Sequence, residues 1–153
     1  MELVNTISNN KVIKILVLGF IGSILLTVSA KIKIPFYPVP MTMQTFVVLF
    51  LGISFGYKVG VLSVIFYLLE GIIGLPVFSN SPEKGIGVAY FVGPTMGYLI
   101  GFIFACFIAG IFTYNKNHIL NFIKIIISTS VIYILGVLWL GNLIGWDKPI
   151  LEF

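Results

Sequence analysis

Apolar runs about as long as a bilayer is thick follow one another along this chain, and no other feature limits its architecture as much. Residues 12–30 are interrupted by one charge, Lys14, which lies close enough to the end of the run for its ammonium to reach an interface. Further runs occupy 41–57, 59–74, 94–113 and 119–140. A spanning helix needs about 20 predominantly apolar residues. The pattern therefore predicts five crossings, with the short 41–57 run tilted or partly re-entrant. Composition agrees: of 153 residues, 59% are apolar and 9% charged, against roughly 45–50% and about 25% in a soluble domain. So few charges do not cover a water-exposed fold. The expected architecture is all-α, a polytopic helix bundle in the lipid bilayer, with residues 1–153 forming a single transmembrane domain.

The breaks between runs are chemically distinct. Lys31-Ile32-Lys33-Ile34-Pro35-Phe36-Tyr37-Pro38-Val39-Pro40 carries three prolines and reads as a stiff loop. Gly74-Leu75-Pro76 stops the third run, and residues 79–85 form a polar turn. Pro94 suits a first helical turn, where its missing N–H is not needed. Trp139, Trp146 and Asp147-Lys148-Pro149 mark an interfacial boundary. The first run ends at Ala30-Lys31 without a cleavage context and reads as a span, not a removable signal. Five spans place Lys11, Lys14, Lys58, Lys116 and Lys124 on the amino-terminal face, and Lys31, Lys33, Lys84 and Lys148 on the other. That small excess leans toward a cytoplasmic amino terminus.

Small residues recur every four positions, at Gly52, Gly56 and Gly60, and at Gly93, Gly97, Gly101, Ala105 and Ala109. Such ridges let backbones approach closely in lipid, where burying apolar side chains brings little gain. The 93–109 ridge is expected to pack inside the chain. For Gly19, Ser23 and Thr27, packing inside the chain and contact with an external helix are equal readings.

Several chemistries are excluded. The lone Cys106 permits no internal disulfide or multi-cysteine metal site, and no His, Cys and carboxylate cluster suits zinc. His118, the one histidine, stands in a polar loop beside no carboxylate, so a nucleophilic hydrolase is not expected. No Gly-rich loop ends in Gly-Lys-Ser or Gly-Lys-Thr, so ATP chemistry, if used, belongs to a partner. The net charge of +4 is spread over single lysines and forms no nucleic-acid face.

Two irregular segments on the same face, 31–44 and 74–95, are rich in Pro, Tyr, Phe and small polar residues. Non-helical backbone at membrane depth is tolerated where protein or a cavity covers it, so these segments are expected to enclose a small-molecule pocket. Glu70 is costly in a span and is either pocket-facing or a carboxylate reaching the interface or a lysine. Gln44 offers donors and an acceptor to a ligand or to a neighbouring helix. Asn80 sits in a turn where Asn is common in any case. Tyr67 and Tyr98 read first as interfacial or packing residues and second as ligand-contacting walls, and the helix start at Pro94-Thr95 is a candidate anion site.

Three ordered motifs resemble the BioY family. They are Pro38-Val39-Pro40-Met41-Thr42-Met43-Gln44-Thr45, then Tyr67-Leu68-Leu69-Glu70-Gly71 running into Gly74-Leu75-Pro76-Val77-Phe78, then Gly93-Pro94-Thr95-Met96-Gly97-Tyr98-Leu99-Ile100-Gly101-Phe102. The resemblance implies the S component of an energy-coupling factor (ECF) transporter: a six-helix subunit of the plasma membrane that captures biotin and has no enzymatic activity or cofactor of its own. It implies a transmembrane T component and two ABC-type ATPase subunits as partners, with Gly19, Ser23 and Thr27 on the T-component interface. Asn80, Gln44 and Thr45 are then expected to hold the ureido ring, with Phe36, Tyr37, Tyr67 and Phe78 against the rest of biotin. Pro94 and Thr95 would shape the pocket, and Glu70 would lie in or beside it. Family members usually continue into a last helix with a Pro-Gly-Asp and a following Lys, whereas this sequence stops at Phe153 with five spans visible. The chain is accordingly expected to be shortened before that helix, or to supply its functions from other residues. The rival readings are an S component for another vitamin and a non-transporting membrane scaffold or regulatory subunit.

Overall fold

The computed structural model of the chain describes residues 10–35 and 39–146. Helix α1 is Lys11–Lys31, opened by Asn10, whose side chain accepts from the Val12 N–H. A two-stranded antiparallel ribbon follows, β1 (Lys33–Ile34) against β2 (Met41–Thr42), in the register Lys33 to Thr42 and Ile34 to Met41. Helix α2 is Gln44–Ile72, α3 the short turn Gly87–Phe91, α4 Met96–Ile111 and α5 His118–Ile144, the last capped by the Asn117 side chain. α1, α2 and α5 are long and apolar enough to cross a membrane, and α4 is a shorter apolar helix.

α2 is folded back on itself. Gly56 has φ 75° and ψ 167°, a conformation that suits glycine and breaks the helix. In a straight helix Gly52 and Gly60 would stand about 12 Å apart along the axis, yet a Cβ on Gly60 would lie 3.1 Å from the Cα of Gly52. Residues 44–55 and 57–72 are thus the two arms of a hairpin, matching the two runs expected at 41–57 and 59–74. Counting both arms gives five apolar helical segments side by side. The ribbon within the 31–44 loop and the turn at 87–91 were not anticipated.

Close packing follows the small residues. A Cβ on Gly52 would meet the Cys106 carbonyl oxygen at 2.6 Å, which brings the hairpin directly onto α4. The 93–109 ridge packs within the chain, with Gly97 on Leu135 and Trp139 of α5 and Ala105 and Ala109 buried. The first ridge needs correcting. Gly19 packs on Leu62 and Phe66 of the 57–72 arm, and Ser23 is fully buried, its hydroxyl 2.8 Å from Glu70 Oε1. Thr27 is half-buried and donates to the Ser23 carbonyl at 3.0 Å. Gly19 and Ser23 therefore form an internal seam between α1 and α2, and the face α1 turns outward carries Leu16, Phe20, Ile24 and Val28 instead.

Candidate functional site

At the loop end of the bundle, away from the Gly56 tip, the segments separate and leave a cavity of about 620 Å³. One wall is the stretch from Val39 to Phe46, which the ribbon holds across the mouth; a second backbone hydrogen bond, Met43 N–H to the Ile32 carbonyl at 3.1 Å, fixes it to the end of α1. The opposite wall is built by Tyr67, Phe78, Ser79 and Tyr90, and α4 and α5 complete it with Thr95, Tyr98, Phe102 and Tyr133 among others.

Phe78 is fully buried and organises its wall. Its ring stacks on Tyr90 (centroids 5.0 Å, planes 14° apart) and meets Tyr67 edge-on (5.5 Å, 85°). It lies so close over the 57–72 arm that a Cβ on Gly71 would come within 2.1 Å of Phe78 Cζ. The Tyr90 hydroxyl is 3.2 Å from Ser79 Oγ and accepts from the Asn80 N–H at 3.3 Å. Across the cavity Tyr98 and Tyr133 pair edge-on at 6.4 Å, and Trp139 Nε1–H donates to the Gly93 carbonyl at 2.9 Å, tying α5 to the start of α4.

Gln44 is the distinctive polar group. It is 3% exposed, lines the cavity and stands beside Tyr67. Its Oε1 accepts from the Thr42 hydroxyl at 3.2 Å, whereas Nε2 has no hydrogen-bond partner. A buried unpaired amide donor costs on the order of 1–3 kcal/mol, a penalty relieved when an acceptor enters the cavity.

Of the residues singled out from sequence, Gln44, Thr45, Tyr67, Phe78, Thr95 and Tyr98 line this cavity together. Asn80, Glu70 and Pro94 do not. Asn80 Oδ1 accepts from Lys33 Nζ at 2.9 Å, Glu70 faces Ser23, and Pro94 is exposed beside the start of α4. Phe36 and Tyr37 lie outside the described residues. Sequence reasoning missed Ser79, Tyr90 and Tyr133. Tyr90 is carried in by the turn at 87–91, which no periodicity announces, and Tyr133 sits on a helix apolar all round. Among the described residues, those lining the cavity include no Asp, Glu, His, Lys or Cys, and no three potential metal ligands come together. The arrangement suits binding and enclosure of a largely apolar molecule with a hydrogen-bonding head.

Comparison with known proteins agrees with this geometry. The model of the BioY family matches residues 4–151. A probable biotin transporter BioY of Pyrococcus horikoshii is 36% identical over 124 residues, which cover 81% of this chain and 72% of that protein. The biotin transporter BioY of Thermotoga maritima is 42% identical over 114 residues, covering 74% and 66% respectively. The chain thus spans about two thirds to three quarters of the length of these relatives. The crystal structure of the S component for biotin from an ECF-type ABC transporter superposes with a TM-score of 0.76 at 28% identity, over 94% of this chain and 79% of that one.

Proposed function

The chain belongs to the BioY family, and from that premise we propose that it captures biotin as the S component of an ECF transporter in the bacterial plasma membrane. On this reading a transmembrane T component and two ABC-type ATPase subunits supply the energy, since the chain offers no phosphate-binding loop. One transmembrane domain is enough for the capture step.

The observation that carries the reading is the Gln44 Nε2 donor, buried and unpaired in the wall of a cavity whose volume falls in the range of small-molecule sites, roughly 300–1,000 Å³. A ureido ring presents a carbonyl acceptor and two N–H donors on one edge. Gln44 and the Thr45 hydroxyl match that edge, and the Ser79 and Tyr90 hydroxyls add capacity nearby. The thiophane ring and the methylenes of the valerate chain are apolar and fit against Phe78, Tyr67 and Tyr98. Thr95 borders the site from the start of α4.

Titration calorimetry on the purified protein in nanodiscs is expected to give saturable biotin binding that thiamine does not compete. Gln44→Ala is expected to weaken it about tenfold or more, the worth of one buried hydrogen bond. No saturable binding by the unaltered protein would overturn the assignment, and undiminished binding by Gln44→Ala would remove the polar role of that residue.

A further inference from the structure

Both lips of the cavity mouth are fastened to the same three residues, 31–33. The backbone of Lys33 pairs with Thr42, and the Ile32 carbonyl takes the Met43 N–H, so the lip that carries Gln44 is tied to the end of α1. The side chains reach the other way. Lys33 Nζ donates to the Ser79 carbonyl at 2.8 Å and to Asn80 Oδ1 at 2.9 Å, and Lys31 Nζ donates to the carbonyls of Phe78 and Ser81, both at 2.8 Å. These charge-assisted bonds hold the lip that carries Phe78 and Ser79. Among the described residues, Lys33 is thus the one whose main chain grips the first lip and whose ammonium grips the second. Two acceptors within 2.9 Å take two of its N–H donors, and Glu83 Oε2 at 3.6 Å adds an ion pair. Lys31, Lys33, Asn80, Ser81 and Glu83 do not line the cavity; their contacts set how far apart the two walls stand.

We propose that Lys33 is a positioning residue, a clasp that keeps the 39–46 and 78–81 lips closed over the cavity and so lengthens the stay of its ligand. The clasp rests on the reading of the cavity as a biotin site. Entry and escape both wait for the lips to part, so a clasp that is closed with or without ligand slows both steps and lengthens the stay of the ligand. Lysine suits the role because its flexible stem carries a compact charge to two carbonyl-type acceptors at once, and arginine offers the same charge with more donors.

The test compares the wild type with Lys33→Met, Lys33→Gln and Lys33→Arg in nanodiscs, by stopped-flow biotin binding and by spin-label distances between Met41 and Ile86 in a Cys106→Ala background. Lys33→Met is expected to raise the association and dissociation rates together, each about tenfold, with the equilibrium affinity within about twofold. It is also expected to broaden the label distance in ligand-free protein, and Lys33→Arg to restore both. If Lys33→Met does not fold, Lys33→Gln carries the same expectation. An unchanged dissociation rate, or a distance distribution as narrow as the wild type's, would overturn the clasp. Failure of the wild type to bind biotin would instead overturn the function, and the label distances, which need no ligand, would still decide whether Lys33 holds the lips.

Discussion

The two ends of this bundle are built by opposite means. At the hairpin tip, Gly52, Gly60 and Gly110 bring backbone onto backbone: would-be Cβ atoms at these positions meet the Cys106 carbonyl, the Cys106 sulfur and the Tyr57 amide nitrogen at 2.4–2.6 Å. At the loop end the same helices are held apart by Tyr67, Phe78, Tyr90 and Tyr98, and the space between these rings is the cavity. In lipid, where apolar burial between helices gains little, close contact depends on small residues. Where the chain spends aromatics instead, it obtains walls with a hydrogen-bonding edge and an interior large enough for a ligand. Tight packing at one end gives the other end a fixed frame to be open within.

The sharpest way to break this contrast is to give the tip a side chain. Gly52→Val drives a Cβ into the Cys106 carbonyl, a backbone atom that moves only with α4. Overpacking of this kind costs about 1–3 kcal/mol or more. A fall of about 10 °C in apparent melting temperature is expected, with loss of monodisperse protein on size exclusion and loss of biotin binding as a consequence of misfolding. A variant with wild-type melting would show that the tip does not frame the cavity.

Gly71→Ala makes the opposite intervention, at the open end. Its Cβ meets the far edge of the Phe78 ring, not a backbone atom, so the ring tilts away from Tyr90 and into the cavity while the helices keep their places. Biotin affinity is expected to fall about tenfold by calorimetry, with melting lowered by a few degrees, since ring displacement at an aromatic cluster is worth about 1 kcal/mol. A large drop in melting with unchanged affinity would reverse the assignment of the two ends.

The contrast also explains what could be read from sequence. The number of apolar segments and their limits within a few residues were legible because run length reports them directly, whereas the break at Gly56 was not, since that glycine reads as one member of a packing ridge. The close-packed end was legible too, as four-residue spacing from Gly97 to Ala109. The walls were only partly legible. Gln44, Thr45, Tyr67, Phe78, Thr95 and Tyr98 emerge from motifs flanking irregular backbone, but a helix as largely apolar as α5 has no distinct polar face to say that Tyr133 turns inward. The orientations of Asn80 and Glu70 are set by Lys33 and Ser23, more than forty positions away along the chain, a pairing that no local pattern encodes.

Glu70 tests where the boundary between the two ends runs. It is placed on the seam between α1 and the 57–72 arm, where the Ser23 hydroxyl stands 2.8 Å from both its Oε1 and the Phe20 carbonyl. That arrangement ties helices together and leaves the cavity alone, because neither residue lines it. Interhelical hydrogen bonds inside membranes average about 0.6 kcal/mol, since the separated helices also find polar partners. A double-mutant cycle with Ser23→Ala and Glu70→Gln, measured by unfolding in mixed detergent, is expected to give a coupling of about that size. Biotin affinity should be unchanged in all three variants. The small value is informative because it separates two reasons for a carboxylate in a span. A seam residue changes stability and leaves binding intact, whereas a Glu70 that reaches the ligand would lower affinity in Glu70→Gln with Ser23 present or absent.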